Sequence, residues 1–153
     1  MKLAALVLSA LVLATACNGD DEANPDASLA VTLDNLATGT WLLTEVRANG
    51  VPVPGTCPQE VTFTTESTLL PGEAALTCRP FIAGYDANGN QVLDPVEIAV
   101  RADSLIVDPN LSRFVGELNR YAVDLLTAQR LELTQEIANP AGAFRTRTVF
   151  VKQ

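Results

Sequence analysis

The sequence predicts an all-β protein built as a small antiparallel up-and-down meander of about eight strands. Two observations carry this prediction. Short runs in which apolar and polar residues alternate with a period of two recur along the chain, the pattern of half-buried strands. Turn-forming residues separate the runs, at Asn49-Gly50, Pro71-Gly72, Asp108-Pro109-Asn110 and Asn139-Pro140-Ala141-Gly142.

Before the first strand stands an address. "MKLAALVLSALVLATAC" opens with a basic Lys2 and continues as an apolar run from Leu3 to Ala16, too short for the ~20 residues that span a bilayer. Residues 1–16 are therefore read as a signal peptide and excluded from the fold. Ala14-Thr15-Ala16-Cys17 resembles the lipobox of bacterial lipoproteins, with Ala14 where that family most often carries Leu. The resemblance implies that Cys17 becomes the first residue and carries lipid. The same residues also spell an A-x-A site for ordinary cleavage, which releases a soluble periplasmic or secreted protein. "NGDDEANPDAS" is acidic and has no apolar residue larger than alanine, so residues 17–28 read as the lipidated cysteine and a flexible tether. Asn18 lacks the Asp that retains some lipoproteins at the inner membrane, so the resemblance points to the outer membrane.

The folded body is expected over residues 29–153. Trp41–Val46 is the first strand, stopped by Asn49-Gly50. "EVTFTTESTLL" reads as one half-buried strand with Val61 and Phe63 on its apolar face. Glu73–Cys78 is a further short run. Val96, Ile98, Val100 and Ala102 share a face, and "RADS" turns into Leu105-Ile106-Val107. Residues 113–136 satisfy two patterns: a helical stripe through Val115, Leu118, Ala122 and Leu125, or two strands about a Thr127-Ala128-Gln129 turn. The last strand places Phe144, Thr146, Thr148 and Phe150 on one face.

Composition excludes several functions. The chain has no histidine, which removes Ser-His-Asp and Cys-His nucleophile systems and every metal site that needs imidazole. Its formal charge of −8, with no basic run, argues against a nucleic-acid surface. No carboxylate spacing marks a general acid and base, so no enzyme activity is expected. If Cys17 is lipidated, Cys57 and Cys78 remain as an even pair in an oxidising compartment. A disulfide between them would close a loop of about 20 residues, worth roughly 3 kcal/mol. Two buried free thiols are the alternative.

"GTW" at Gly39-Thr40-Trp41 looks like the G-x-W with which lipocalins enter their first strand. The order of later segments strengthens the likeness: a cysteine on each side of "VTFTTEST", then "DSLIV", "YAVDLLTAQRLEL" and a closing Phe150–Lys152. The whole resembles the lipocalin-like domains of bacterial lipoproteins. That resemblance implies a β-barrel, strands rather than a helix over 119–134, and a Trp41 that closes the barrel floor under a stacked Arg145 or Arg147.

The departure from that pattern is an insertion, "YDANGNQVLDPVEI" over residues 85–98. Its register matches a twelve-residue EF-hand loop, whose oxygen donors come from positions 1, 3, 5, 7, 9 and 12. Those positions hold Asp86, Asn88, Asn90, Val92 (through its carbonyl), Asp94 and Glu97. Against a Ca2+ site stand Gln91 where the loop normally turns on Gly, the absence of a convincing helix before the loop, and the lack of a second loop; the exit at Asp94-Pro95-Val96-Glu97 reads either as a capped helix start or as a strand. The alternative is a solvated polar hairpin. Two functions follow. One is a membrane-anchored binding module holding a small apolar ligand inside the barrel, with Ca2+ ordering the insertion. The other is a structural or interaction lipoprotein with a filled barrel, whose Asp86–Glu97 loop meets a protein partner.

Overall fold

The computed structural model of the chain describes residues 24, 26–54, 59–71, 84–85, 88, 91–92, 95–109, 119–140 and 142–153. A single helical turn, α1 (Leu33–Leu36), precedes the strands. They are β1 (Thr40–Ala48), β2 (Val51–Pro52), β3 (Glu60–Phe63), β4 (Thr68–Pro71), β5 (Gly84–Tyr85), β6 (Gln91–Val92), β7 (Val96–Arg101), β8 (Ser104–Val107), β9 (Arg120–Leu126), β10 (Arg130–Asn139) and β11 (Gly142–Lys152).

Eight of these form a closed antiparallel barrel. Neighbours run β1-β3-β4-β7-β8-β9-β10-β11, and β11 returns to pair with β1 from Trp41↔Lys152 to Ala48↔Thr146. β2 is an extra strand on the far part of β1, and β5 and β6 form a separate two-stranded sheet. Closure leaves the barrel strands without a free edge, which answers the hazard of unpaired backbone groups.

Residues 120–126 and 130–139 are strands, so the helical stripe through Ala122 and Leu125 is not used. Thr127 organises the expected turn: its hydroxyl accepts from the backbone N–H groups of Gln129 and Arg130 at 3.2 and 3.0 Å. "EVTFTTESTLL", expected as one strand, folds back on itself between β3 and β4. The Thr64 N–H donates to the Thr68 carbonyl at 2.8 Å, and Ser67 takes a left-handed φ of 60°. That turn contains neither Gly nor Pro, and its threonines suit a strand equally well.

The inward face is aliphatic and aromatic. Trp41, Val61, Phe63, Leu69, Leu105, Leu131, Leu133 and Phe150 belong to one buried cluster. The N-terminal segment covers one end of it. The Leu29 N–H donates to the Leu126 carbonyl at 2.7 Å, Leu36 is fully buried, and Leu29, Val31 and Leu33 pack against the core. Thr32 caps α1 by accepting from the Asn35 N–H at 3.2 Å. The Trp41 indole N–H donates to the Leu36 carbonyl at 2.9 Å, tying the cap to the first strand. Alternation along the barrel then sends the Asn49-Gly50 turn and the C-terminal ends of β4 and β8 to the opposite end.

Neither arginine expected over Trp41 is there. Trp41 is opposite Lys152, whereas Arg147 is opposite Arg47, five residues and about 17 Å along the sheet. Parity is the physical reason. Thr148, Phe150 and Lys152 share one face of β11, while Arg145 and Arg147 lie on the other.

Candidate functional site

The residues of the insertion are only partly placed. Asp86, Asn90 and Asp94 lie outside the described residues, as do Cys17, Cys57 and Cys78. Asn88 is exposed in a turn, Val92 belongs to β6, and Glu97 is the exposed second residue of β7. β5 and β6 pair as Gly84↔Val92 and Tyr85↔Gln91, so the stretch begins as a hairpin rather than a helix–loop–helix. Gln91, at the position where a calcium loop turns, is in a strand. On the exit side, Pro95 leads into strand β7 and not into a helix. Among the described residues, no group of three or more acidic or cysteine side chains is gathered to hold a metal ion. Gly39 and Trp41 sit together at the covered end. A Cβ on Gly39 would come within 2.9 Å of the Lys152 Cε, so this glycine makes room for the lysine stem.

A second constellation was not singled out by sequence reasoning. Five of the ten cationic side chains, Arg47, Arg120, Arg130, Arg145 and Arg147, come from β1, β9, β10 and β11. The period-2 pattern places them outward, but only the register shows that they are neighbours. Glu132 lies among them and is buried. It accepts from the Arg130 Nε at 2.7 Å and from the Arg147 guanidinium. Burial pushes the Glu132 carboxyl up most strongly. Together, the hydrogen bonds and charges of Arg147 and Arg130 outweigh that effect and hold it below the ordinary carboxylate value. Next along the sheet, Arg47 pairs with Glu45. Val149 lies between Glu45 and Glu132 and is only 3% exposed despite its outward parity.

Two depressions open on this face. One, of about 410 Å³, is lined by Arg47, Gly50, Asp124, Glu132, Arg145 and Arg147. The other, of about 240 Å³, is lined by Ser104, Arg120, Ala122, Asp124, Thr134, Glu136 and Arg145. Asp124 and Arg145 border both. Asp124 is the extra residue of a bulge, since Glu132 pairs with Leu125 and Leu133 with Val123. Its carboxylate accepts from the Thr134 hydroxyl. The arrangement can bind polar groups.

No protein-family model matches this chain, and no curated protein is similar to it in sequence.

Proposed function

We propose that this chain is a lipocalin-like lipoprotein of the bacterial envelope, anchored through Cys17, whose filled barrel is a scaffold for contacts with a partner. The observation that carries the scaffold reading is the interior. Trp41, Val61, Leu105, Leu131, Leu133 and Phe150 each have 0% exposure. A void large enough for a ligand would leave accessible surface on the side chains that line it, even if sealed from outside. The supporting sequence is the basic start, apolar run and Cys17, followed by an acidic tether. Cys57 and Cys78 pair in this reading, and thiol titration before and after reduction counts them.

The test begins with protein purified from bacterial membranes. Mass spectrometry should find a diacylated or triacylated N-terminus at Cys17, lost in Cys17→Ser. Organic extraction should release only that covalently bound lipid after hydrolysis. An equimolar free lipid in the extract would sink the scaffold reading and make the barrel a container. A photo-crosslinker at Asn88 should capture one protein partner.

A second reading concerns Ca2+ at the insertion. In sequence, Asp86, Asn88 and Asn90 fall between the paired residues Tyr85 and Gln91. With Asp94 and Glu97 they supply the hard oxygens calcium prefers. Millimolar calcium should then raise the thermal midpoint, by about 1.4 kcal/mol of stability at ten times the dissociation constant. Magnesium should not do so, and Asp86→Ala should abolish the effect. No shift at ten millimolar would leave the loop a polar hairpin.

A further inference from the structure

We infer that the two depressions on the outer face of β8–β11 and β1 form one binding groove for a small zwitterionic oxyanion, with Arg145 as its anion receptor. None of the groove's lining residues belongs to the Asp86–Glu97 stretch. It does not depend on the lipid anchor.

The groove follows from side-chain size along one row of the sheet. Register aligns Ser104 with Ala122, Ala122 with Thr134, and Thr134 with Arg147. The first three are small. Longer side chains stand on both sides of that row, Glu136 and Arg145 on one flank and Asp124 and Glu132 on the other. The trough that results is the depression of about 240 Å³, and across Asp124 and Arg145 it adjoins the one of about 410 Å³, which falls in the size range of small-molecule sites.

The charges in the trough are unequally satisfied. Glu132 has two arginine partners, Arg47 has Glu45, and Asp124 has the Thr134 hydroxyl. Arg145 differs. Its backbone is fixed on both sides by Asn49: the Arg145 N–H donates to the Asn49 Oδ1 at 2.9 Å, and the Arg145 carbonyl accepts from the Asn49 N–H at 2.8 Å. Its guanidinium has no hydrogen bond or ion pair among the described residues, although Glu136 is its cross-strand partner. The result is a tethered, unneutralised guanidinium at the junction of the two depressions. Such a fork suits carboxylate or phosphate with two parallel hydrogen bonds.

The other residue common to both depressions is Asp124, and it sets the rest of the ligand. A bare anion would be repelled by its carboxylate, whereas an ammonium or hydroxyl beside the anion would be attracted. The class that fits is therefore a phosphate or carboxylate carrying a donor a few atoms away. Phosphoethanolamine, free or as a lipid headgroup, is the simplest probe of that class.

The experiment uses the full mature protein in detergent, followed by the Arg Nε–H signals in NMR while glycerophosphoethanolamine is added at constant ionic strength. The Arg145 signal should move saturably. Arg145→Gln should abolish saturation while Arg101→Gln, at the end of β7, should not. Arg145→Lys should fold and bind more weakly, which separates loss of the fork from loss of structure. Inorganic phosphate should bind roughly tenfold more weakly than the zwitterion, and Asp124→Asn should remove that preference. A linear, non-saturating shift matched by sodium chloride overturns the site, and equal binding of phosphate and zwitterion overturns the role of Asp124. Vesicles containing phosphatidylethanolamine distinguish the sources: Arg145-dependent binding to vesicles in preference to the soluble probe marks a headgroup, and the reverse marks a free metabolite.

Discussion

Trp41 donates its indole N–H to the carbonyl of Leu36, 2.9 Å away, and both residues are completely buried. This contact joins the segment that covers the barrel to the strand that closes it. Trp41→Phe removes the donor and leaves the Leu36 carbonyl buried without it. Together with the volume lost, the expected destabilisation is about 2 kcal/mol or more. A lower urea midpoint at an unchanged m-value would show it; a shift under about 0.5 kcal/mol would mean that water replaces the indole.

Gly39, two residues earlier, should behave differently. It does not adopt a positive φ, and an added methyl would meet only the flexible end of Lys152. Gly39→Ala should therefore cost less than about 1 kcal/mol, with the lysine stem moving aside. A cost equal to that of Trp41→Phe would show that the stem cannot yield.

Gly50 carries a backbone requirement instead. At Asn49-Gly50 the φ values are 49° and 82°, the signature of a type I′ hairpin turn. A Cβ on Gly50 has nothing within 4 Å, so Gly50→Ala meets no clash and only conformational strain. The expected cost is about 1 kcal/mol. Gly50→Asn, which tolerates the left-handed region, should restore part of the loss in the same denaturation assay.

Glu132 links stability to pH. Its carboxyl is held below the ordinary value in the folded protein, so the folded state binds fewer protons than the unfolded chain across that interval. The stabilisation is fully present above the unfolded value of about 4.3 and is lost as pH falls through the lower folded value. Glu132→Gln should thus lose stability at neutral pH and show a flatter acid limb. The gap between wild-type and Glu132→Gln urea midpoints should narrow as the pH is lowered from about 7 to 3; parallel curves would mean that Arg147 and Arg130 do not tune this group.

Much of the strand pattern was legible because alternation and turn chemistry agreed. Asn49-Gly50, the "RADS" turn and the Asn139–Gly142 turn all fall where the residues ask for a reversal, and Val96–Ile98 alternates as read, whereas in the last strand Phe144 is exposed and Thr148, Val149 and Phe150 are all buried. The Thr64–Ser67 turn was not legible, because its residues fit strand and turn alike. The arginine groove was hidden for a different reason. Arg47 and Arg147 are 100 positions apart in sequence, and nothing local signals that they meet.

The sequence alone determined which residues could face inward, since a period of two is a property of the extended chain itself. Tertiary structure decided what those faces met. Closure of β11 onto β1 set Lys152, and not an arginine, opposite Trp41. The bulge at Asp124 and the row of small residues opened the groove, and pairing with Asn49 left Arg145 anchored but uncompensated. These outcomes depend on register between distant strands, where a shift of one residue exchanges the two faces.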